Sequence, residues 1–139
     1  MKNKKGFTLV ELLAVIVVLG FLAAIILPKI TDTVSDAEKQ SAAVSGQSYL
    51  KVVETEIVKS QWKDVQLTDG IWVITVTAGG SDCLKNKTSG KEYIFSYTGD
   101  KPDKNGEITI SGGKITGCNK FKIGDVSLTC TASGEVKAS

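Results

Sequence analysis

The opening stretch MKNKKGFTLVELLAVIVVLGFLAAIILPKI places one carboxylate, Glu11, inside 21 otherwise nearly apolar residues, Phe7 to Leu27. A carboxylate deep in a bilayer costs about 2.5–3.5 kcal/mol, and less near the interface. A plain membrane anchor gives no reason to carry one. A nearby cation does. Cutting the chain between Gly6 and Phe7 would expose an α-amine about one helical turn from Glu11. In apolar surroundings such a pair attracts far more strongly than in water, and each partner left alone is costly. The amine could belong to the same helix or to a neighbouring one. In the second case Glu11 sets the register of one helix against the next.

Composition removes most other chemistry. All 17 basic residues are lysines and there is no histidine. Without Arg there is no bidentate guanidinium for phosphate or bases, and without His no ready proton shuttle or imidazole metal ligand. Once Lys2, Lys4 and Lys5 are set aside, the remaining side chains carry −1. That balance points to no basic face for nucleic acid. The chain is expected to be no enzyme and to need no cofactor. Cys83, Cys118 and Cys130 are too widely spaced for a CxxC motif. Outside the cytoplasm they predict one disulfide and one leftover thiol.

The elements that must position Glu11 follow from periodicity. Residues 7–27 as a helix span about 31 Å, which matches a bilayer core of roughly 30 Å. Gly20 and Pro28 are its weak points. Ile30, Val34, Ala37, Ser41 and Val44 continue at helical spacing, and after a phase shift so do Leu50, Val53 and Ile57. The pattern predicts one helix over about 7–60, apolar all round at first and amphipathic later, with SGQS at 45–48 its weakest stretch. Strands are expected at 71–77, at 91–97, and as a pair around Gly112 and Gly113. A hairpin about Gly124-Asp125 pairs Ile123 with Val126 and puts Phe121, Ile123, Val126, Leu128 and Cys130 on one face. The tail TASGEVKAS is expected to fray. Trp62 and Trp72 are expected at the helix–sheet junction rather than as adhesive aromatics. Asn86-Lys87-Thr88 matches the glycosylation sequon and carries little weight alone. The predicted fold is α+β: one long N-terminal helix packed against a small antiparallel sheet.

A conventional signal peptide is the rival reading, with SDA at 35–37 as its cleavage site. The apolar stretch exceeds the usual 7–15 residues of such peptides, and the amphipathic pattern runs straight through the supposed cut.

The motif KKGFTLVELL resembles the processing site of type IV prepilins and pseudopilins: a basic leader ending in Gly, then Phe, a Glu four residues on, and an apolar helix. Gly20 and Pro28 also stand where many members carry a Gly and a Pro. The resemblance implies a leader, 1–6, held in the cytoplasm by Lys2, Lys4 and Lys5 and removed by a prepilin peptidase that then methylates Phe7. It implies a transmembrane and filament-core helix at 7–28, an amphipathic helix at 29–61 and a sheet region at 62–139. It further implies a homo-oligomeric helical filament, built with an inner-membrane assembly platform and an ATPase motor. The subunit would wait in the membrane and end on the cell surface as a major pilin. The alternative is a pseudopilin of a type II secretion or competence DNA-uptake apparatus. Many pilins close a loop near the C-terminus with a disulfide, which suggests Cys118–Cys130. The hairpin register puts these two on opposite faces, so Cys83 with either one stands equally. Some pseudopilins hold calcium in a sheet-side loop. Asp100, Asp103, Asn105 and Glu107 offer oxygens, but their spacing is not that of an EF-hand and a solvated turn is the preferred reading.

Overall fold

A computed structural model describes residues 6–139. The chain divides into two compact units, one ending at Ala37 and the other running Glu38–Ser139. A single helix, α1 (Leu9–Ser60), contributes to both. It continues through Gly20, Pro28 and the SGQS stretch.

In the first unit every described residue is exposed. Between Leu9 and Leu27, Leu, Val, Ile and Ala occupy all sides of the helix and leave no continuous polar face. It contains a stretch long and apolar enough to cross a membrane.

In the second unit the helix buries one stripe: Ala42, Gly46, Tyr49, Leu50, Val53, Glu56, Ile57 and Ser60. The three- and four-residue spacing keeps these positions on one face. The phase through Ile30, Val34, Ala37, Ser41 and Val44 stays exposed. Within the second unit, Ser41 and Val44 lie on a different side of the helix from Tyr49 and Val53.

Eight strands follow. β1 (Gly70–Thr75), β2 (Asp82–Asn86), β3 (Glu92–Phe95), β4 (Gly106–Ser111) and β5 (Lys114–Asn119) form one antiparallel sheet in the order β3-β2-β1-β4-β5. β6 (Phe121–Ile123), β7 (Val126–Cys130) and β8 (Val136–Ala138) form a second. Ile123 pairs with Val126 as the hairpin reading required. The tail is no frayed end: β8 pairs with β7, and Ser139 and Ser127 exchange backbone hydrogen bonds of 2.9 and 3.0 Å. β2 was not expected at all.

Trp72, Ile74, Leu84, Ile108 and Ile110 alternate inward and meet Tyr49, Val53 and Ile57 of the helix. Each such side chain contributes about 1.5–3 kcal/mol by leaving water. The second sheet closes on the helix at Gly46, where an added Cβ would stand 2.6 Å from Leu128 Cδ1. Val136 N–H donates to Gln47 Oε1 at 3.0 Å, which ties β8 to the same helix.

One polar hub centres on a wholly buried carboxylate, Asp82. Asp82 accepts from Tyr49 Oη at 2.8 Å, from Thr77 N at 2.9 Å and from Lys101 Nζ at 2.9 Å. Lys101 also donates to the carbonyls of Thr77 and Gly80. Burial and the bond to Asp82 hold the Tyr49 phenol protonated well above its ordinary range.

Candidate assembly segment

The residues that sequence reasoning singled out at the N-terminus lie together and open to solvent. Phe7 is 82% exposed, and Gly6 is exposed beside it. A Cβ at Gly6 would meet nothing within 4 Å, so packing inside this chain does not require glycine there. Lys2, Lys4 and Lys5 lie outside the described residues.

Thr8 starts the helix, and the sequence reading overlooked it. Glu11 Oε2 accepts from Thr8 N–H at 2.8 Å and from Thr8 Oγ1 at 2.9 Å, while Glu11 N–H donates to Thr8 Oγ1 at 3.3 Å. This is a reciprocal capping box that satisfies donors otherwise left open at a helix start. Its signal, Thr-x-x-Glu just before an apolar run, is present in TLVE. Glu11 therefore has a local partner before any cut is made.

The two weak points sit inside an unbroken helix. A Cβ at Gly20 would meet nothing within 4 Å. Pro28 has no N–H to return to the carbonyl four residues earlier. Just beyond it Thr31 Oγ1 donates to the carbonyls of Leu27 (3.3 Å) and Pro28 (2.8 Å), and Thr33 Oγ1 donates to that of Lys29 (2.9 Å). Such back-bonding hydroxyls compete with the helix's own ladder.

Away from this segment the structure decides several open points. Cys118 and Cys130 form a disulfide, with Cα atoms 4.8 Å apart, and Cys83 is free. The objection from face parity fails because Cys118 and Cys130 lie in different sheets. Lys120, at φ 64°, turns the chain between them and ends the alternation. Burial pushes the Cys83 thiol up, and the charge of Glu92 adds to it.

The oxygen-bearing loop is not gathered into a site. Asp100 accepts from Ser45, Asp103 from the Gly124 amide and Asn105 from the Val76 amide, while Glu107 pairs with Lys120 and Lys87. Among the described residues no three His, Cys, Asp or Glu side chains come together to hold a metal. The sequon asparagine, Asn86, is buried and accepts from the amides of Thr88 and Ser89, so its side chain closes a turn. Trp72 packs in the core as expected, but Trp62 is 90% exposed and does not.

The described N-terminal segment is thus an exposed apolar helix with a Thr8–Glu11 cap, and the second unit is a small helix-and-sheet body. A family model described as the prokaryotic N-terminal methylation motif matches residues 1–27. The chain is 34% identical over 125 residues to a fimbrial protein of Pseudomonas aeruginosa, covering 84% of this chain and 73% of that one. It is 30% identical over 132 residues to the type IV major pilin protein PilE of Neisseria gonorrhoeae, covering 91% and 74%. Against the type IV major alpha-pilin of Moraxella bovis it is 49% identical over 47 residues, 34% of this chain and 28% of the relative. No solved structure matches significantly. The chain belongs to the type IV pilin family, whose members are structural proteins and not enzymes. Membership implies processing by a prepilin peptidase and assembly into a filament, with a course from the membrane to the pilus surface.

Proposed function

We propose that this chain is the major structural subunit of a type IV pilus. Its leader, residues 1–6, is removed by cleavage between Gly6 and Phe7, and the new amine of Phe7 is methylated. Residues 7–28 hold the subunit in the membrane and then form the filament core. Residues 29–61 continue that helix, and 62–139 supply the sheet region. An inner-membrane platform and an ATPase motor drive extraction, because moving an apolar helix from lipid into a helix bundle gains little hydrophobic energy.

The observation that carries this reading is the apolar half of α1, exposed on every side in the subunit and bearing Glu11 one turn from the cut. Packing against other copies decides how such a surface is covered. The Glu11–amine pair decides its register. A head-to-tail contact of this kind repeats without closing.

The pseudopilin alternative shares residues 1–30. The relatives that span most of the chain carry the names of fimbrial protein and major pilin, which favours the pilus. Mass spectrometry of sheared surface material tests the proposal. Long fibres dominated by this chain, starting at methylated Phe7, are the expected result. A chain absent from sheared fibres, or one that starts at Glu38, overturns it.

A further inference from the structure

The second sheet is joined covalently to the body at one end only. β6 leaves β5 through Asn119 and Lys120, and at that same end Cys130, the last residue of β7, is bonded to Cys118. β8 starts opposite Cys130 and runs away from it. The far end is therefore the turn at Gly124-Asp125 together with Ser139, which is bonded to Ser127.

One residue of the body fastens that far end by polar contact. Asp103 N–H donates to the Lys122 carbonyl at 2.7 Å, and the Gly124 amide donates to the Asp103 carboxylate. Among the described residues no other hydrogen bond reaches 122–126 from outside the second sheet. Asp103 stands on a fixed post, because Lys101 of the same segment is bound to the buried Asp82. Beside the fastening lies an open cleft of about 1150 Å³, bordered by Ile123 and Val126 of the sheet and by Ala42 and Ser45 of the helix. The far end is thus edged by solvent, whereas in the middle Leu128 and Val136 close on Gly46.

We infer that the second sheet is a flap that opens as one unit about its Cys118–Cys130 end, with Asp103 as the latch. Proteins open locally in cooperative pieces, and pieces with few bonds to the rest open most readily. Topology draws the boundary here, since no strand of the second sheet pairs with one of the first. Strands of three, five and three residues bury too little to stand alone once they leave the core. β6, β7 and β8 therefore lose their protection together. Opening uncovers Phe121, Leu128 and Val136 without unzipping the five-stranded sheet. The disulfide keeps the opened piece beside its seat, so closing again is an intramolecular step at high effective concentration. The device belongs to the single subunit and does not rest on the fibre reading.

Backbone amide exchange on full-length subunits in detergent tests this, followed residue by residue in the natural chain and in Asp103→Ala. Asp103 is exposed, so its truncation leaves the core intact. In the natural chain the hydrogen-bonded amides of β6, β7 and β8 should share one exchange rate, several-fold faster than those of β1, β2 and β4. Asp103→Ala should raise that shared rate several-fold further and leave the central strands as they were. Exchange in the second sheet no faster than in the central strands means that the fold opens only as a whole, and overturns the inference. So does a variant in which both sheets speed up equally, or neither does, because Asp103 is then no latch.

Discussion

Thr8 and Glu11 separate two roles that one carboxylate can hold. Glutamine serves a capping box about as well as glutamate but carries no charge. Glu11→Gln should therefore leave the helix start and membrane insertion intact and still abolish most fibre, as judged by the amount in sheared fractions. Thr8→Ala removes the cap, at about 1 kcal/mol of local helix stability, and should assemble. Wild-type fibre from Glu11→Gln would mean that the carboxylate is only a cap. At the other end of the helix, burial raises the Glu56 carboxyl, but hydrogen bonds from Lys59 and Tyr93 and the charges of Lys59 and Lys63 outweigh it and hold the group below its ordinary 4.5. A carboxyl depressed in the folded state stabilises it above the unfolded value, and that contribution is lost as pH falls through the folded value. Denaturant midpoints should thus drop more steeply below about pH 4.5 in the natural chain than in Glu56→Gln. Parallel curves would count against this pairing.

Among the elements, the hairpin and disulfide show what sequence could and could not convey. Ile123 against Val126 was legible because the turn residues and the alternation agree locally. β2 was not: Asp82, Cys83, Leu84, Lys85 and Asn86 include no β-branched residue. Two of them are polar groups whose burial depends on Tyr49, Lys101 and a turn far or hidden in the pattern. β8 was missed for a similar reason, since three residues make a strand only when β7 is beside them. The switch of helical phase between Val44 and Leu50 was visible, but not which phase would meet the sheets. The Thr8 cap was legible and passed over. Reducing Cys118–Cys130 should cost roughly 2–4 kcal/mol, read from denaturant curves, and Cys83→Ser should change little. Gly106 is a second check. A Cβ there would overlap the buried ring of Phe121, and Gly106→Ala is expected to destabilise the domain by about 1–3 kcal/mol.

For the whole molecule, the continuity of α1 through Gly20 and Pro28 is a property of the free subunit. The missing proline donor and the back-bonding threonines leave this stretch with the least to lose if neighbours demand another path. The helix is expected to open between residues 20 and 28 in the fibre, and a fibre map with unbroken helix there would refute this. The globular unit depends on a different linkage. Lys101→Met strands the Asp82 carboxylate in the core, and breaking such a pair costs about 3–5 kcal/mol. A thermal unfolding temperature unchanged from wild type would show that the hub is dispensable.

That same lysine has a practical use. In a chain whose cations are all primary amines, an acylating reagent modifies every accessible site, yet the Lys101 side chain is only 13% exposed and held by three acceptors. Its lag behind the other amines would clock how often the 99–103 segment lifts off the body, giving a residue-resolved gauge of breathing in intact filaments.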